Sequence, residues 1–228
     1  MKKLVVLTGA GISAESGIRT FRDAGGLWEG YRIEDVATPE AWRKDPVLVT
    51  RFYNERRRNA LDAQPNAGHL GLVELEKHFD VQIITQNVDD LHERAGSSNI
   101  IHLHGELLKV RSSVVEELVY DRTTDVNIGD KCEKGHQLRP HIVWFGEAVP
   151  MMDVALQATM DADVFVVVGT SLVVYPAASL VNYVRKGRPI YIVDPKRPDV
   201  SLPSHIHFIE KTATEGVTEL INLLLQDE

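Results

Sequence analysis

The feature that most constrains the fold is a glycine-rich turn directly after the first apolar run of the chain. The run Leu4–Thr8 has the length and composition of a buried strand, and Gly9-Ala10-Gly11-Ile12-Ser13-Ala14 follows it. In this G-x-G-x-x-A pattern the first glycine permits a tight turn, the second lets the backbone approach a pyrophosphate, and the alanine allows close helix–sheet contact. Free N–H groups at the start of the next helix would face the anion. A plain strand–turn–helix with incidental glycines is the alternative, and the strand context disfavours it.

Further short apolar runs predict a parallel sheet. They are Val81–Thr85, Val164–Gly169 and Pro189–Val193, with Ile206–Ile209 as a weaker candidate. Helical patterns accompany them, over about Pro46–Ala63, Ala67–His78, Tyr175–Lys186 and Thr214–Leu225. This alternation predicts an α/β protein with a doubly wound, Rossmann-like parallel sheet.

Two stretches interrupt the alternation. Phe21–Asp45 is rich in glycine, tryptophan and charge without a clear strand, and Glu106–Pro140 is polar, with only a weak apolar run at Val114–Tyr120. We therefore expect one domain over residues 1–228, with a Rossmann-like part at about 1–23, 71–104 and 146–228. A small inserted module, helical or irregular, is expected at about 24–70 and 105–145.

Composition narrows the partners and the compartment. The net charge of −8 disfavours direct contact with nucleic acid, which needs a basic surface. Cys132 is the one cysteine, so an intramolecular disulfide is excluded. No run approaches the roughly 18 apolar residues of a membrane span, and the first strand is too short for a signal sequence. These features predict a cytoplasmic protein that does not contact membranes.

The region after the first turn lacks the second strand of an ordinary dehydrogenase, which disfavours hydride transfer as the activity. An ordinary dehydrogenase has a second strand that ends in Asp or Glu about 20 residues further on. Glu29, Glu34 and Asp35 lie in that region, but no apolar run precedes them. A bound dinucleotide would therefore be held in another way.

Five motifs in order resemble those of the sirtuin family, over nearly the whole chain. The first turn continues to Glu15-Ser16-Gly17-Ile18-Arg19-Thr20-Phe21-Arg22, with Arg19 where many members carry proline. The other four motifs are Thr85-Gln86-Asn87-Val88-Asp89, His102-Leu103-His104-Gly105, Val143-Trp144-Phe145-Gly146-Glu147 and Gly169-Thr170-Ser171. The resemblance implies a protein-lysine deacylase that consumes NAD as a cosubstrate and acts on acylated lysine side chains of proteins.

The resemblance also implies the residues that bind NAD, among them a loop at Phe21 and Arg22 that closes over the cofactor. The full set is Gly9, Ala10, Gly11, Ser13, Glu15, Phe21, Arg22, Gln86, Asn87, Asp89, Gly169, Thr170, Ser171, Asp194 and Ala213. Gln86, Asn87 and Asp89 follow a predicted strand at the sheet edge where ligands bind in α/β proteins. Asn87 or Asp89 could also cap a helix over Asp90–Arg94.

His104 and Asn87 are the expected catalytic residues. An imidazole with an ordinary pKa near ~6.5 suits proton removal at neutral pH. His102 lies two residues away, on the same side of an extended segment, so spacing alone does not choose between the histidines; the motif chooses His104. The implied reaction begins with attack of the acyl oxygen on C1′ of the nicotinamide ribose. His104 then deprotonates a ribose hydroxyl, and the products are nicotinamide, O-acyl-ADP-ribose and free lysine.

A tyrosine and an arginine indicate which acyl groups are preferred. Tyr53 and Arg56 are three residues apart in a predicted helix and so share a face, where phenol and guanidinium together can bind a carboxylate. This pair resembles the desuccinylase and demalonylase branch of sirtuins, and the small Ala24 leaves room for a longer acyl chain. Phe145-Gly146-Glu147 would form the tunnel and backbone ledge that grips the acyl-lysine peptide. The alternative is an amphipathic helix with Tyr53 half-buried and Arg56 in solvent.

The cysteines that usually bind zinc in this family are missing. Most sirtuins carry two C-x-x-C pairs after the catalytic histidine, because a structural zinc needs four ligands. Here Ser112 and Ser113 occupy the region of the first pair, and Gly135 stands where the second ligand of the Cys132 pair is expected. A substitute set of Cys132, His136 and His141 lacks an obvious fourth member. We predict no zinc, and a module held by packing of Val114, Val115, Leu118 and Tyr120.

Two other activities fit the same scaffold. An ADP-ribosyltransferase would capture the NAD-derived sugar with another nucleophile. A non-catalytic sensor of NAD or ADP-ribose would need the base or the pocket to be lost, yet His104, Asn87 and Asp89 are all present.

Overall fold

A computed structural model of the chain describes residues 1–19, 27–28, 30–199 and 206–226. Its strands are β1 (Lys3–Thr8), β2 (Leu27–Trp28), β3 (Tyr31–Arg32), β4 (Asp80–Thr85), β5 (Ile100–His102), β6 (Gly105–Ser112), β7 (Val119–Asp121), β8 (Leu138–Ile142), β9 (Val164–Val168), β10 (Ile190–Val193) and β11 (Ile206–Ile209). Its helices are α1 (Ala10–Ala14), α2 (Ile33–Val36), α3 (Pro39–Lys44), α4 (Pro46–Asp62), α5 (Ala67–Leu75), α6 (Leu91–Ala95), α7 (Met152–Met160) and α8 (Ala213–Gln226), with a 3-10 helix at Ala177–Tyr183.

A parallel sheet with the order β11-β10-β9-β1-β4-β5 forms the larger part of the described structure. Its central strands are buried on both faces, as their continuous apolar sequences predict. One face packs against α5 and α8, and the other against α7 and the 3-10 helix. Thr8 is in register with Thr85 of β4 and Val168 of β9, so the carboxyl ends of these strands meet at one edge. The predicted doubly wound Rossmann-like sheet is confirmed.

Some predicted bounds were wrong. The helix predicted over Ala67–His78 ends at Leu75, and the one predicted over Tyr175–Lys186 is the shorter 3-10 helix. The strand β5 and the helix α7 were not predicted. β5 has three residues, too few to show a periodic pattern, and α7 is a nine-residue helix whose buried side chains are small.

The inserted module is more regular than predicted. Its second segment forms an antiparallel sheet in the order β7-β6-β8, and β2 pairs with β3 in the first. The expectation of irregular structure over Glu106–Pro140 was therefore wrong. The strand β6 was not predicted because its buried positions include polar residues, which interrupt the hydrophobic pattern. Arg111 lies 3.5 Å from Glu147 in an ion pair. The Ser112 hydroxyl accepts hydrogen bonds from the N–H groups of Val114 and Val115.

Two small cores hold the module together. Phe52 and Tyr53 of α4 pack with Leu107 and Trp144 in the larger one. The smaller core contains Val110, Val126, Cys132 and Leu138, with Leu118 and Tyr120 against it. The prediction that Val114 packs here was wrong, since 64% of that residue is exposed in the turn after β6. In the part of the chain that the structure describes, every helix is too short or too polar to cross a bilayer.

Candidate active site

A cleft of about 440 Å³ lies at the carboxyl edge of the parallel sheet, facing the module. Most of the residues predicted from the sequence line it: Gly9, Ala10, Gly11, Glu15, Tyr53, Arg56, Gln86, Asn87, Asp89, His104, Phe145, Gly146, Gly169, Thr170, Ser171, Asp194 and Ala213. Ser13 lies behind this wall. Phe21, Arg22 and Ala24 fall outside the described residues.

The glycines of the first turn pack against a second glycine turn. The N–H of Gly9 donates to the Val168 carbonyl at 3.0 Å, and the N–H of Gly11 donates to the Gly169 carbonyl at 2.8 Å. A Cβ atom on Gly11 would lie 2.6 Å from the Cα of Gly169, and Gly169 has a φ of 64°. Any side chain at these positions would push the two turns apart. The glycines therefore set the spacing of the cleft floor.

A buried polar chain fixes Asn87. Its Nδ2 donates to the Gly9 carbonyl at 3.1 Å and to the Ser13 Oγ at 3.2 Å, and the Ser13 hydroxyl donates to Asp89 Oδ2 at 3.1 Å. Burial raises the pKa of the Asp89 carboxyl, although hydrogen bonds from Leu91 and Ser13 oppose the rise. The N–H of Leu91 also donates to Asp89 Oδ1 at 3.2 Å. The N-cap residue of α6 is Asp90, which makes no side-chain cap hydrogen bond, so Asp89 bonds the first residue of the helix without being its N-cap, and it lines the cleft as well.

The ring of His104 is held as a neutral base. Its Nδ1–H donates to the Gln86 carbonyl at 3.1 Å, since a carbonyl can only accept, and this leaves the lone pair on Nε2. Burial lowers the pKa of His104 below its ordinary value, with the Gln86 carbonyl opposing the fall. The imidazole is therefore uncharged at neutral pH and able to take up a proton.

His102 faces a different environment. Its Nε2 pairs with Glu93 Oε1, and it is not among the residues that line the cleft. Burial works against its charge, but the hydrogen bond and charge of Glu93 outweigh burial and raise the pKa of His102. The expectation that both histidines share a side was wrong because β5 ends at His102 and the chain bends before β6 begins at Gly105.

Tyr53 and Arg56 are both buried where α4 borders the cleft. Tyr53 has no exposed surface, and 8% of Arg56 is exposed. The alternative interpretation, with Arg56 in solvent, is therefore wrong. The hydroxyl of Tyr53 accepts a hydrogen bond from Trp144 Nε1 at 3.1 Å, and burial raises its pKa well above the ordinary value. Phe145 is 45% exposed, in the segment that follows Trp144.

The described residues offer no tetrahedral site at Cys132. Within them, the one group of three or more possible metal ligands is Glu93, His102 and Glu106. Lys109 Nζ already lies 2.9 Å from Glu106, so a cation is in place beside that group. Cys132 instead packs in the smaller apolar core of the module. A four-ligand structural zinc therefore does not fit the described side chains.

Sequence reasoning missed Arg139, which contacts Trp144 and Glu147, two residues that line the cleft. Arg139 donates to both carboxylate oxygens of Glu147, at 2.7 and 3.1 Å, and its Cζ lies 3.3 Å from the ring centroid of Trp144. Trp144 and Glu147 belong to the motif Val143–Glu147, which indicated their place at the site. No motif indicated Arg139, because a single arginine before a proline resembles any charged surface residue.

Comparisons with known proteins agree with this geometry. The profile that describes the Sir2 family matches residues 9–176. An NAD-dependent protein deacylase of Bacteroides thetaiotaomicron is 57% identical over 232 residues, covering 99% of each chain. One of Helicobacter pylori is 54% identical over 226 residues, again covering 99% of each. A crystal structure of a Sir2 homologue in complex with NAD is 43% identical, with a TM-score of 0.89, and the match covers 99% of this chain and 90% of that one.

Proposed function

This chain belongs to the Sir2 family, and we therefore propose that it is an NAD-dependent protein-lysine deacylase whose pocket prefers short acyl groups that carry a carboxylate. Acetyl, succinyl and malonyl groups are the proposed substrates. The observation that carries the acyl preference is the burial of Tyr53 and Arg56 in the wall of the cleft that also contains His104.

The groups that line the cleft suit a dinucleotide. Both N–H donors of Asn87 are used by Gly9 and Ser13, so only its Oδ1 is left for a ligand, and that ligand must offer a donor such as a ribose hydroxyl or a carboxamide N–H. We propose that Gln86, Asn87 and Asp89 hold the nicotinamide end. When bound, NAD supplies the electrophilic sugar carbon for acyl transfer.

The remaining cofactor contacts are proposed for the other strand ends. The turn that contains Gly9 and Gly11 and the turn Gly169–Ser171 would lie against the phosphates and a ribose, and Asp194 and Ala213 against the adenosine end. Because the N–H groups of Gly9 and Gly11 already donate to the Val168 and Gly169 carbonyls, these two glycines would give the phosphates room rather than hydrogen bonds. Glu15 has a supporting part, because its carboxylate accepts hydrogen bonds from the N–H of Thr214 at 3.0 Å and from its hydroxyl at 2.7 Å. That contact ties the first turn to the start of α8.

His104 is proposed as the general base. The Gln86 carbonyl holds the proton on Nδ1, so Nε2 is the atom that takes up a proton from a ribose hydroxyl. Because burial lowers the pKa of this ring, no competing protonation blocks Nε2 at neutral pH.

A substrate carboxylate would be stabilised by the pair on α4. A guanidinium and a phenol give charge-assisted hydrogen bonds, which are the stronger kind in a buried site. An acetyl group has no carboxylate to fill this position, so we expect it to be accepted with lower efficiency. Tyr53 and Arg56 would thus set the preference without taking part in the chemistry of acyl transfer.

Matched peptides test the acyl preference. Acetyl-, malonyl- and succinyl-lysine versions of one peptide are incubated with NAD, and kcat/KM is compared between the native protein and Arg56→Met. We expect kcat/KM for the succinyl and malonyl peptides to fall about 10- to 100-fold, because this corresponds to the free energy of one hydrogen bond to a charged group. The value for the acetyl peptide should be nearly unchanged. Arg58→Met is the matched control, because Arg58 lies on the same helix, exposed, and pairs with Asp125.

Equal losses on all three peptides in Arg56→Met would refute the acyl preference. Product analysis by mass separates the activity classes as well. O-acyl-ADP-ribose together with free lysine supports deacylation, whereas an ADP-ribosylated peptide would indicate the transferase.

We also propose that the protein needs no structural zinc. Two observations support this: Cys132 is buried in an apolar core, and Asn54 and Arg57 of α4 form hydrogen bonds with the backbone of the module. Acylated protein lysines are the proposed partners, with no direct contact to nucleic acid, in keeping with a net charge of −8.

A further inference from the structure

Trp144 is held in the cleft wall by a buried ion pair. The guanidinium of Arg139 lies over its ring, and Glu147 bonds both Arg139 and the backbone N–H of Trp144, the latter at 2.8 Å. Arg139 also donates to the Ile142 carbonyl at 2.9 Å, so the cation is fixed from two sides. The indole therefore has little freedom to turn.

The indole N–H determines how Tyr53 can use its hydroxyl. A phenol carries one proton and accepts through its lone pairs. Trp144 Nε1–H occupies the acceptor side of Tyr53 at 3.1 Å. Within the described part of the chain, the Tyr53 hydroxyl makes no hydrogen bond other than the one from Trp144, and Tyr53 lines the cleft. That proton is therefore available to a ligand in the cleft.

We propose that Trp144, clamped by Arg139 and Glu147, is a positioning residue for acyl specificity. By filling the acceptor side of the Tyr53 hydroxyl, it turns the phenol proton toward the carboxylate of an acidic acyl group. This inference rests on the proposed acyl preference and adds a determinant that does not itself touch the carboxylate.

The clamp also strengthens the donor. A cation over an indole face withdraws electron density and makes the N–H a better donor, and a phenol that accepts a strong hydrogen bond donates its own proton more strongly. The pair Arg139–Glu147 therefore acts on the substrate through Trp144 and Tyr53 in series. Loss of the indole N–H should weaken binding of acidic acyl groups more than binding of acetyl-lysine.

A double-mutant cycle tests the proposal. The variants Trp144→Phe, Tyr53→Phe and the double variant are measured with succinyl- and acetyl-lysine peptides at saturating NAD. We expect Trp144→Phe to raise KM for the succinyl peptide about three- to tenfold more than KM for the acetyl peptide. In the Tyr53→Phe background, Trp144→Phe should cause no further loss, because the hydroxyl on which it acts is absent.

A second variant covers the case in which Trp144→Phe does not fold. Arg139→Lys keeps the charge but loses the two-oxygen contact with Glu147 and the stack on the indole, and it should lower succinyl activity in the same direction. Thermal unfolding of each variant confirms that the protein is folded during the assay.

Two results would overturn the inference. One is an equal loss with acetyl and succinyl peptides in Trp144→Phe, and the other is a succinyl loss that persists undiminished in the Tyr53→Phe background. In both cases Arg56→Met would still separate the acyl groups, so the proposed function would stand. If Arg56→Met leaves the succinyl-to-acetyl ratio of the native protein unchanged, the acyl preference itself fails, and the role of Trp144 with it.

Discussion

At the residue scale, the environment of His104 predicts the acidic side of the activity profile. The base must be neutral to act, and burial lowers its pKa below the ordinary ~6.5, so the neutral form persists to lower pH than in a free imidazole. We expect the acidic limb of kcat/KM with an acetyl peptide to be centred below pH 6.5. A profile measured from pH 5 to 8 checks this. An acidic limb centred above pH 6.5 would contradict the assignment.

Motifs predicted which residues stand at the cleft, but not how they are oriented. His102 and His104 are equivalent by spacing, and only the bend before Gly105 separates their surroundings. The contact between Tyr53 and Trp144 joins positions 91 residues apart, so no local pattern could contain it. Orientation depends on such tertiary contacts, which is why the sequence suggested Tyr53 and Arg56 but not the contact of Tyr53 with Trp144.

At the element scale, α4 is fastened to the module by side chains that pair with backbone groups. The Asn54 amide donates to the Val126 carbonyl at 2.8 Å and accepts from its N–H at 2.9 Å. Arg57, fully buried, donates from Nε to the Leu107 carbonyl at 3.0 Å and from Nη1 to Asn54 Oδ1 at 2.7 Å. Burial lowers the pKa of Arg57 to about 10, which still leaves it charged at neutral pH.

Removing the Asn54 amide should therefore destabilise the protein. Asn54→Ala leaves the buried N–H and carbonyl of Val126 without partners and takes one acceptor from Arg57. We expect the free energy of unfolding to fall by roughly 3 kcal/mol. Urea denaturation measures it, with Asn59→Ala as the control, because Asn59 is exposed on the same helix and should change stability by less than about 0.5 kcal/mol. Equal effects of the two substitutions would show that the contact with Val126 contributes nothing.

Elements with a clear apolar pattern were predictable, and those stabilised by polar contacts were not. The strands β1, β4 and β9 are mostly apolar and were predicted at nearly their observed bounds. In β6 the buried positions include Arg111 and Ser112, whose partners lie elsewhere in the chain. A hydrophobic pattern cannot report a strand that buries charge.

At the scale of the whole molecule, the module should keep its structure without metal. A structural zinc stabilises such a module through bonds to four ligands. Here the described side chains stabilise it instead, through the apolar core around Cys132 and the hydrogen bonds of Asn54 and Arg57. We expect elemental analysis of the purified protein to find well under one zinc per chain. A strong chelator should leave the thermal unfolding temperature unchanged. One zinc per chain, or a marked fall in that temperature with chelator, would contradict this.

Two buried histidines predict how the stability of the molecule depends on pH. His69 and His92 lie with ring centroids 5.0 Å apart beneath the cleft, and the Nε2 of His92 lies 3.0 Å from the Thr8 hydroxyl. Burial is the main cause that lowers the pKa of His69 to about 4 and that of His92 to about 3. Both rings are therefore neutral in the folded protein at a pH where an unfolded chain would protonate them.

The sign of the effect follows from proton uptake. Below the unfolded pKa of about 6.5 the unfolded chain binds protons that the folded chain does not, so stability is complete above pH 6.5 and is lost as pH falls toward the folded values. Each histidine contributes a slope of about 1.4 kcal/mol per pH unit in that window.

Urea denaturation between pH 7.5 and 5.0 tests this. In His92→Gln, the slope of the free energy of unfolding against pH should be smaller than in the native protein by about 1.4 kcal/mol per pH unit. If His92→Gln keeps the native slope, folding does not hold the His92 imidazole neutral, and its contact with the Thr8 hydroxyl does not prevent protonation.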